Sequence, residues 1–179
     1  MSTSVSGRPG AGEFAPYYER YLALVPGDDV LGVLAVQARE VERVLRGISE
    51  ERAGFRYADG KWSIREVLGH VIDGERVFAY RALAFARGEQ ALLPAFDENA
   101  YAQASAHDEV ALAELLDEFA TVRAATLHLL RHLPDNAWGR IGTASGNPVS
   151  VRALAFIIAG HAAHHLAILH ERYGVPRPA

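Results

Sequence analysis

The chain contains no cysteine, which excludes disulfides, thiolate metal sites and cysteine nucleophiles. It also has no surplus of positive charge. Eighteen lysines and arginines stand against 22 acids, a formal charge of −4. That balance gives no electrostatic case for a nucleic-acid partner or for an anionic membrane surface. The longest apolar run, from Val149 to Leu169, is interrupted by Arg152, His161, His164 and His165, so it makes a poor membrane span. The first dozen residues, MSTSVSGRPGAG, lack the apolar core of a secretory signal. These absences lead us to expect a cytoplasmic protein with a small-molecule ligand. No strand of useful length and no internal repeat is legible.

What is present is helical periodicity. Half of the 179 residues are hydrophobic and 22% are charged, which suits one globular domain with a real core. We expect a flexible tail at 1–12, a single domain at 13–175 and a short C-terminal tail at 176–179. A short helix is expected over 14–25. Asp28 or Asp29 then caps a helix to about Ile48, followed by a loop from Ser49 to Trp62. Ser63-Ile64-Arg65-Glu66 reads as a capping box opening a helix to about Arg87, with Gly88 as its left-handed stop. Residues 88–107 form a long connection with one helical turn near Asp97–Ala102. Asp108 is expected to cap a helix to about Leu133, with a core stripe through Leu112, Leu115, Leu116, Phe119, Val122, Leu129, Leu130 and Leu133. Residues 134–149 read as loop, with an extended segment at Arg140–Thr143. Ser150 caps the last helix, which Gly174 and Pro176 end near Tyr173. Four main amphipathic helices predict an all-α four-helix bundle.

Histidine is the unusual feature: there are eight. His161 and His165 are four residues apart, so on a helix they project from one face. Turning about 100° per residue places both on the side defined by Leu154, Ile158, Ala162 and Leu169. His164 lies at the edge of that arc, and His170 points away. Two imidazoles on a buried face need partners, because an unpaired buried polar group costs about 1–3 kcal/mol. His70, at the edge of the stripe on the Ser63 helix, offers a third, with Gly74 leaving space beside it. Another pair with the same spacing, His128 and His132, falls opposite its helix's apolar stripe and should face solvent. His107 is most simply a loop residue. Three inward histidines on facing helices suit a divalent metal, since neutral imidazole binds zinc, nickel, iron and copper. Three protein ligands also leave a position open. The intervening Glu of the HExxH pattern is missing, so that protease mechanism is not indicated. Glu75 falls on the core stripe between Val71 and Phe78. It is either a carboxylate that orients a ligand imidazole or acts as general base, or the partner of Arg81 or of an arginine on another helix. Trp62 and Tyr101 are candidates for a pocket mouth.

The segments Lys61-Trp62-Ser63-Ile64-Arg65-Glu66-Val67-Leu68-Gly69-His70 and Gly160-His161-Ala162-Ala163-His164-His165-Leu166 resemble the DinB-like (YfiT-like) superfamily. Phe78 to Leu83, Leu93-Pro94 and Phe96-Asp97 are similar to one branch of it. The likeness spans about 28–173. It implies an up-up-down-down four-helix bundle, often dimeric. It also implies a divalent metal, commonly nickel or zinc, held by three histidines that map onto His70, His161 and His165; iron and manganese are alternatives. His164 matches a frequent extra histidine of the family that is not usually a ligand. Some relatives are thiol S-transferases or thiol-dependent isomerases using bacillithiol or mycothiol.

Two classes of function follow. One is a metal-dependent enzyme, a hydrolase or a transferase with a low-molecular-weight thiol as co-substrate. The other is a non-catalytic, metal-binding stress-response protein whose metal only staples the bundle. A structural zinc site is usually closed by four protein ligands, and only three good ones are legible, with Glu75 or His164 as the remaining candidates. Phe156, Ile157 and Ile168 lie outside the central stripe of the last helix. They suggest a second packed surface, either a homodimer interface or another part of the bundle.

Overall fold

The computed structural model describes residues 7–177. A 3-10 turn at Pro16–Tyr18 leads into a one-turn helix, α1 (Glu19–Leu22). The Asp29 side chain accepts from Gly32 N–H and opens α2 (Val30–Leu45). The short α3 (Glu50–Ala53) follows, capped by Ser49. The capping box at Ser63 forms in both directions and opens α4 (Ile64–Ala86). Ser63 Oγ accepts from Glu66 N–H at 3.2 Å, and the Glu66 carboxylate accepts from Ser63 N–H at 2.7 Å. Asp97 caps α5 (Glu98–Ala104), and α6 (Leu112–Arg131) follows a 3-10 turn at His107–Glu109. An antiparallel hairpin, β1 (Ile141–Ala144) and β2 (Asn147–Ser150), delivers the chain into α7 (Val151–Tyr173). Ser150 caps that helix, and Gly174, at φ +64°, ends it in the left-handed conformation.

The four long helices α2, α4, α6 and α7 carry the fold. α4 packs against both α6 and α7, and α2 closes the ring by packing against the same two. Two apolar clusters fill the interior. One, containing Phe78, Phe85, Leu130, Leu154 and Phe156, lies toward the hairpin. The other contains Val41, Leu68, Ile72, Leu115, Phe119 and Leu169. A buried polar residue marks the change of cluster on every long helix. Gln37 stands between Leu34 and Val41, Glu75 between Ile72 and Phe78, Arg123 between Phe119 and Leu127, and His161 between Ile158 and Ala162.

Several expectations need correction. Residues 49–62 are not all loop, since α3 lies within them. Asp108 does not cap α6; Ala111 occupies that position without a side-chain cap. Asp108 instead accepts from Ser63 Oγ at 2.5 Å and pairs with Arg56, tying the start of α4 to the turn before α6. The extended segment near 140–143 is half of a hairpin. Pro148 fits it because it lies on β2, an edge strand, where a missing N–H is tolerated. The inward stripe of α6 runs through Arg123, Thr126 and Leu127, while Val122 and Leu129 are only partly buried. Residues 1–6 of the expected tail lie outside the described residues, but Arg8 is docked, donating to the carbonyls of Leu22, Val25 and Gly27. Of Phe156, Ile157 and Ile168, read as either a dimer interface or another part of the bundle, the first two are fully buried within the chain, as the second alternative has it, and Ile168 is partly buried. α7 is therefore apolar nearly all round because it is the central helix. It is long and apolar enough to cross a membrane, but 61% of its most apolar window is already buried here.

The connection between α4 and α6 is pinned to the hairpin. Leu93 N–H donates to Thr143 O at 2.9 Å, and Ser145 N–H donates to Leu93 O at 3.1 Å. Arg81 reinforces it by donating to Pro94 O and Ser145 Oγ. At the other face of α7, α1 sits directly on Gly160. A Cβ there would lie 2.1 Å from Tyr21 O, a backbone atom that cannot swing aside. Gly160→Ala should therefore separate α1 from α7 and destabilise the protein by about 3 kcal/mol, the upper end for overpacking. Urea denaturation checks this, and an unchanged midpoint would show that α1 is not seated there.

Candidate metal centre

α4 supplies His70 and α7 supplies His161 and His165. Their ring centroids lie 4.6 to 4.8 Å apart. One nitrogen from each falls within 4.8 Å of the others, and His70 Nε2 is 2.9 Å from His161 Nε2. The four-residue spacing on α7 stacks two imidazoles on one face, and the close packing of α4 on α7 brings the third. Gly74 makes the approach possible. A Cβ on it would stand 2.9 Å from His161 Cε1, so the space left beside His70 is taken up by the neighbouring imidazole.

Aromatic rings fix the histidines in place. Trp62 lies 4.8 Å from His70, while Tyr21 and Phe78 meet His161 edge-on at 5.5 and 5.8 Å. His70 and His161 are buried, and His165 is partly exposed. Burial disfavours the charged imidazolium, so all three ionise less readily than a free histidine. His70 is pushed down to about 4, chiefly by burial and then by the nearby His164. His161 and His165 move in the same direction, by burial first and then through the other imidazoles. At neutral pH the three rings thus present uncharged nitrogen donors, the form a metal ion requires. Among the described residues this is the one group of three or more His, Cys, Asp or Glu side chains so placed, and it contains no fourth such donor.

The remaining candidates go elsewhere. His164 is partly buried with its ring against Tyr21, outside the cluster. His128 and His132 are exposed, as their face predicts. His170 Nδ1 lies 2.8 Å from Val175 O, at the end of α7. His107 packs over Gly69, where a Cβ would approach its ring to 2.2 Å.

The Glu75 carboxylate is bound by Arg123. Arg123 Nε donates to both its oxygens, at 2.8 and 3.0 Å, and Arg123 Nη2 donates at 2.8 Å. Arg123 Nη1 reaches Leu34 O and Gln37 Oε1, and Gln37 Nε2 donates to Ala159 O at 2.8 Å. Of the two alternatives for Glu75, the geometry is that of an ion pair with another helix's arginine, with no hydrogen bond to an imidazole. Arg123 itself escaped the sequence reading, although its place four residues after Phe119 puts it on the inward face.

His165 opens onto a cleft of about 240 Å³ between α4, α5, α7 and the segment before α4. Trp62 lines it as expected, but Tyr101 borders a different hollow beside Tyr80 and Arg81. Tyr57, Lys61, Asn99 and Tyr173 also line it, beside Val67 and Ile168, and none of the four had a signal in the histidine spacing. Tyr173 also holds the wall together: its hydroxyl, pushed up to about 12 mainly by burial, donates to Trp62 O at 2.7 Å.

A helical bundle with a three-histidine cluster under an open cleft defines the class. The DinB superfamily sequence profile matches residues 34–169, and the chain belongs to that superfamily. Among solved structures, YfiT from Bacillus subtilis is similar in fold, with a TM-score of 0.67 at 16% identity over 95% of each chain. That protein is described as "a probable metal-dependent hydrolase with an unusual four-helix bundle topology". No curated protein matches the chain.

Neutral buried histidines have a consequence for stability. Their folded pKa values lie below the usual 6.5 or so, so between that value and about 4 for His70 the unfolded chain binds protons that the folded protein refuses. Stability is fully present above pH 6.5 and falls as the pH drops. Each histidine that stays neutral should cost about 1.4 kcal/mol by pH 5.5. Urea midpoints of chelator-treated protein should accordingly be lower at pH 5.5 than at pH 7.5; equal midpoints would mean that the rings are not buried neutral.

Proposed function

We propose that the chain is a metal-dependent enzyme acting on a small molecule, with a divalent cation held by His70, His161 and His165. The observation that carries this reading is a donor set of three neutral imidazoles, one of them lining a cleft, with no fourth His, Cys, Asp or Glu in the group among the described residues. Such a set is open on one side, as catalytic sites are and closed structural sites are not. Imidazole chemistry suits nickel or zinc. A bound cation there supplies Lewis-acid polarisation of a carbonyl, or a water or thiol of lowered pKa.

The chain's own residues do the rest. Trp62 and the Tyr21 and Phe78 edges set the orientation of His70 and His161 and keep water from their flanks. His165 presents the open side to the cleft. Glu75 serves to anchor Arg123 and is not the base. We read the reaction as hydrolysis, with S-transfer from a low-molecular-weight thiol as the second reading; both use the same open position. We further propose the up-up-down-down helix order and a cytoplasmic homodimer, which the exposed Tyr80 and Leu83 on α4 favour.

Protein purified without a His-tag should contain about one equivalent of nickel or zinc by elemental analysis. His70→Ala and His165→Ala should lose it, while His128→Ala should keep it. Glu75→Gln should keep the metal but melt earlier, because removing one partner of a buried ion pair costs about 3–5 kcal/mol. Unchanged metal content in both His70→Ala and His165→Ala would contradict the proposal. Turnover of an ester without added thiol marks a hydrolase, whereas turnover of an electrophile only with bacillithiol or mycothiol marks the transferase.

A further inference from the structure

The cleft above His165 has a chemical character of its own. Its walls are largely apolar, with Tyr57, Trp62 and Tyr173 supplying ring surface, Val67 and Ile168 aliphatic surface and Asn99 a polar point on α5. No aspartate or glutamate lines it; Asp59, in the same turn, is exposed and outside the lining. Lys61 does line it, and Lys61 is the only lysine among the chain's 18 cationic side chains. The arginines nearest in sequence are engaged: Arg56 pairs with Glu66 and Asp108, and Arg65 pairs with Glu50. Lys61 has no carboxylate within salt-bridge distance among the described residues. A second cation, Arg172, lies over the Tyr57 ring at 5.6 Å, likewise without a carboxylate partner among those residues. In a chain of net charge −4, Lys61 thus brings an unneutralised positive charge to the edge of a largely aromatic and aliphatic slot, with Arg172 stacked on one of its walls.

From these residues we infer that the cleft binds a small organic anion, a carboxylate carried on a single aromatic or comparably apolar body. Lys61 receives the carboxylate at the rim, and the rings of Tyr57, Trp62 and Tyr173 take the body. The volume of about 240 Å³ falls below the roughly 300–1,000 Å³ of drug-sized sites, so one ring with a short side arm fills it. Asn99 offers an amide for a second polar group. The inference deepens the metal-enzyme reading by naming the substrate class. It does not depend on the metal, because neither Lys61 nor any of the three rings is among the proposed ligands.

The single lysine gives a clean test. Reductive methylation with ¹³C-formaldehyde keeps the charge and labels only Lys61 and the N-terminal amine. The probes are phenylacetate and phenylacetamide, which share shape and differ in charge, titrated into chelator-treated and zinc-loaded protein. In the metal-free protein, phenylacetate should shift the Lys61 signal and bind about two- to fivefold more tightly than the amide, the range for a solvent-exposed charge pair. Lys61→Met should abolish that preference and Lys61→Arg should retain it; Lys61 is exposed, so both variants fold. A preference that survives in metal-free Lys61→Met, or no binding of phenylacetate to metal-free wild type, would overturn the inference. Failure of zinc to bind would refute the metal reading and leave the metal-free comparison intact.

Discussion

The fold depends on one buried interaction, the pair between Arg123 and Glu75. Both side chains are almost fully excluded from water, at 0% and 2% exposure. Desolvating two charges is costly, and the attraction compensates only when every donor and acceptor is met. Here the guanidinium grips the carboxylate with two nitrogens and spends its third on α2, through Leu34 O and Gln37. Gln37 passes the link to α7 at Ala159 O. One polar layer thus ties all four long helices at one height. An apolar core could slide by a turn, but a layer of directed hydrogen bonds has only one register. We read its role as fixing the level at which α4 and α7 meet, which is also the level of the three histidines.

That register explains the site. His161 stands two residues beyond Ala159 on α7, and Glu75 stands five residues beyond His70 on α4. A shift of either helix would move an imidazole out of reach of the other two. Gly74 and Gly160 act at the same height, one admitting the His161 ring and the other admitting α1 behind it. The Glu75 carboxylate, which the sequence offers equally as a base or as an ion-pair partner, is bound by Arg123 within this frame. The three imidazoles, made poor bases by burial, are left as the neutral donors.

Much of this was legible in the sequence where the determining physics is local. Asp29, the Ser63–Glu66 box, Ser150 and Gly174 mark helix ends through bonds within a few residues, and all four do so here. The inward facing of His161 and His165 follows from helical periodicity, as does the exposure of His128 and His132. What was missed depends on distant partners. Asp108 has the local pattern of a cap, but Ser63 and Arg56 claim its carboxylate. Arg123 reads as a surface cation until a carboxylate from α4 meets it. The four-residue strands are too short to show an alternation, and Gly142 and Pro148 disguise them. The cleft walls come from four separate segments, and no spacing announces them.

We propose that three imidazoles hold a metal with one side open to the cleft. X-ray absorption spectroscopy of the untagged, as-purified protein tests it most directly. The expected result is a nickel or zinc shell with scattering from three imidazoles, completed by one or more oxygens that exchange with added ligands. A shell closed by four protein donors, or one without imidazole scattering, would contradict it.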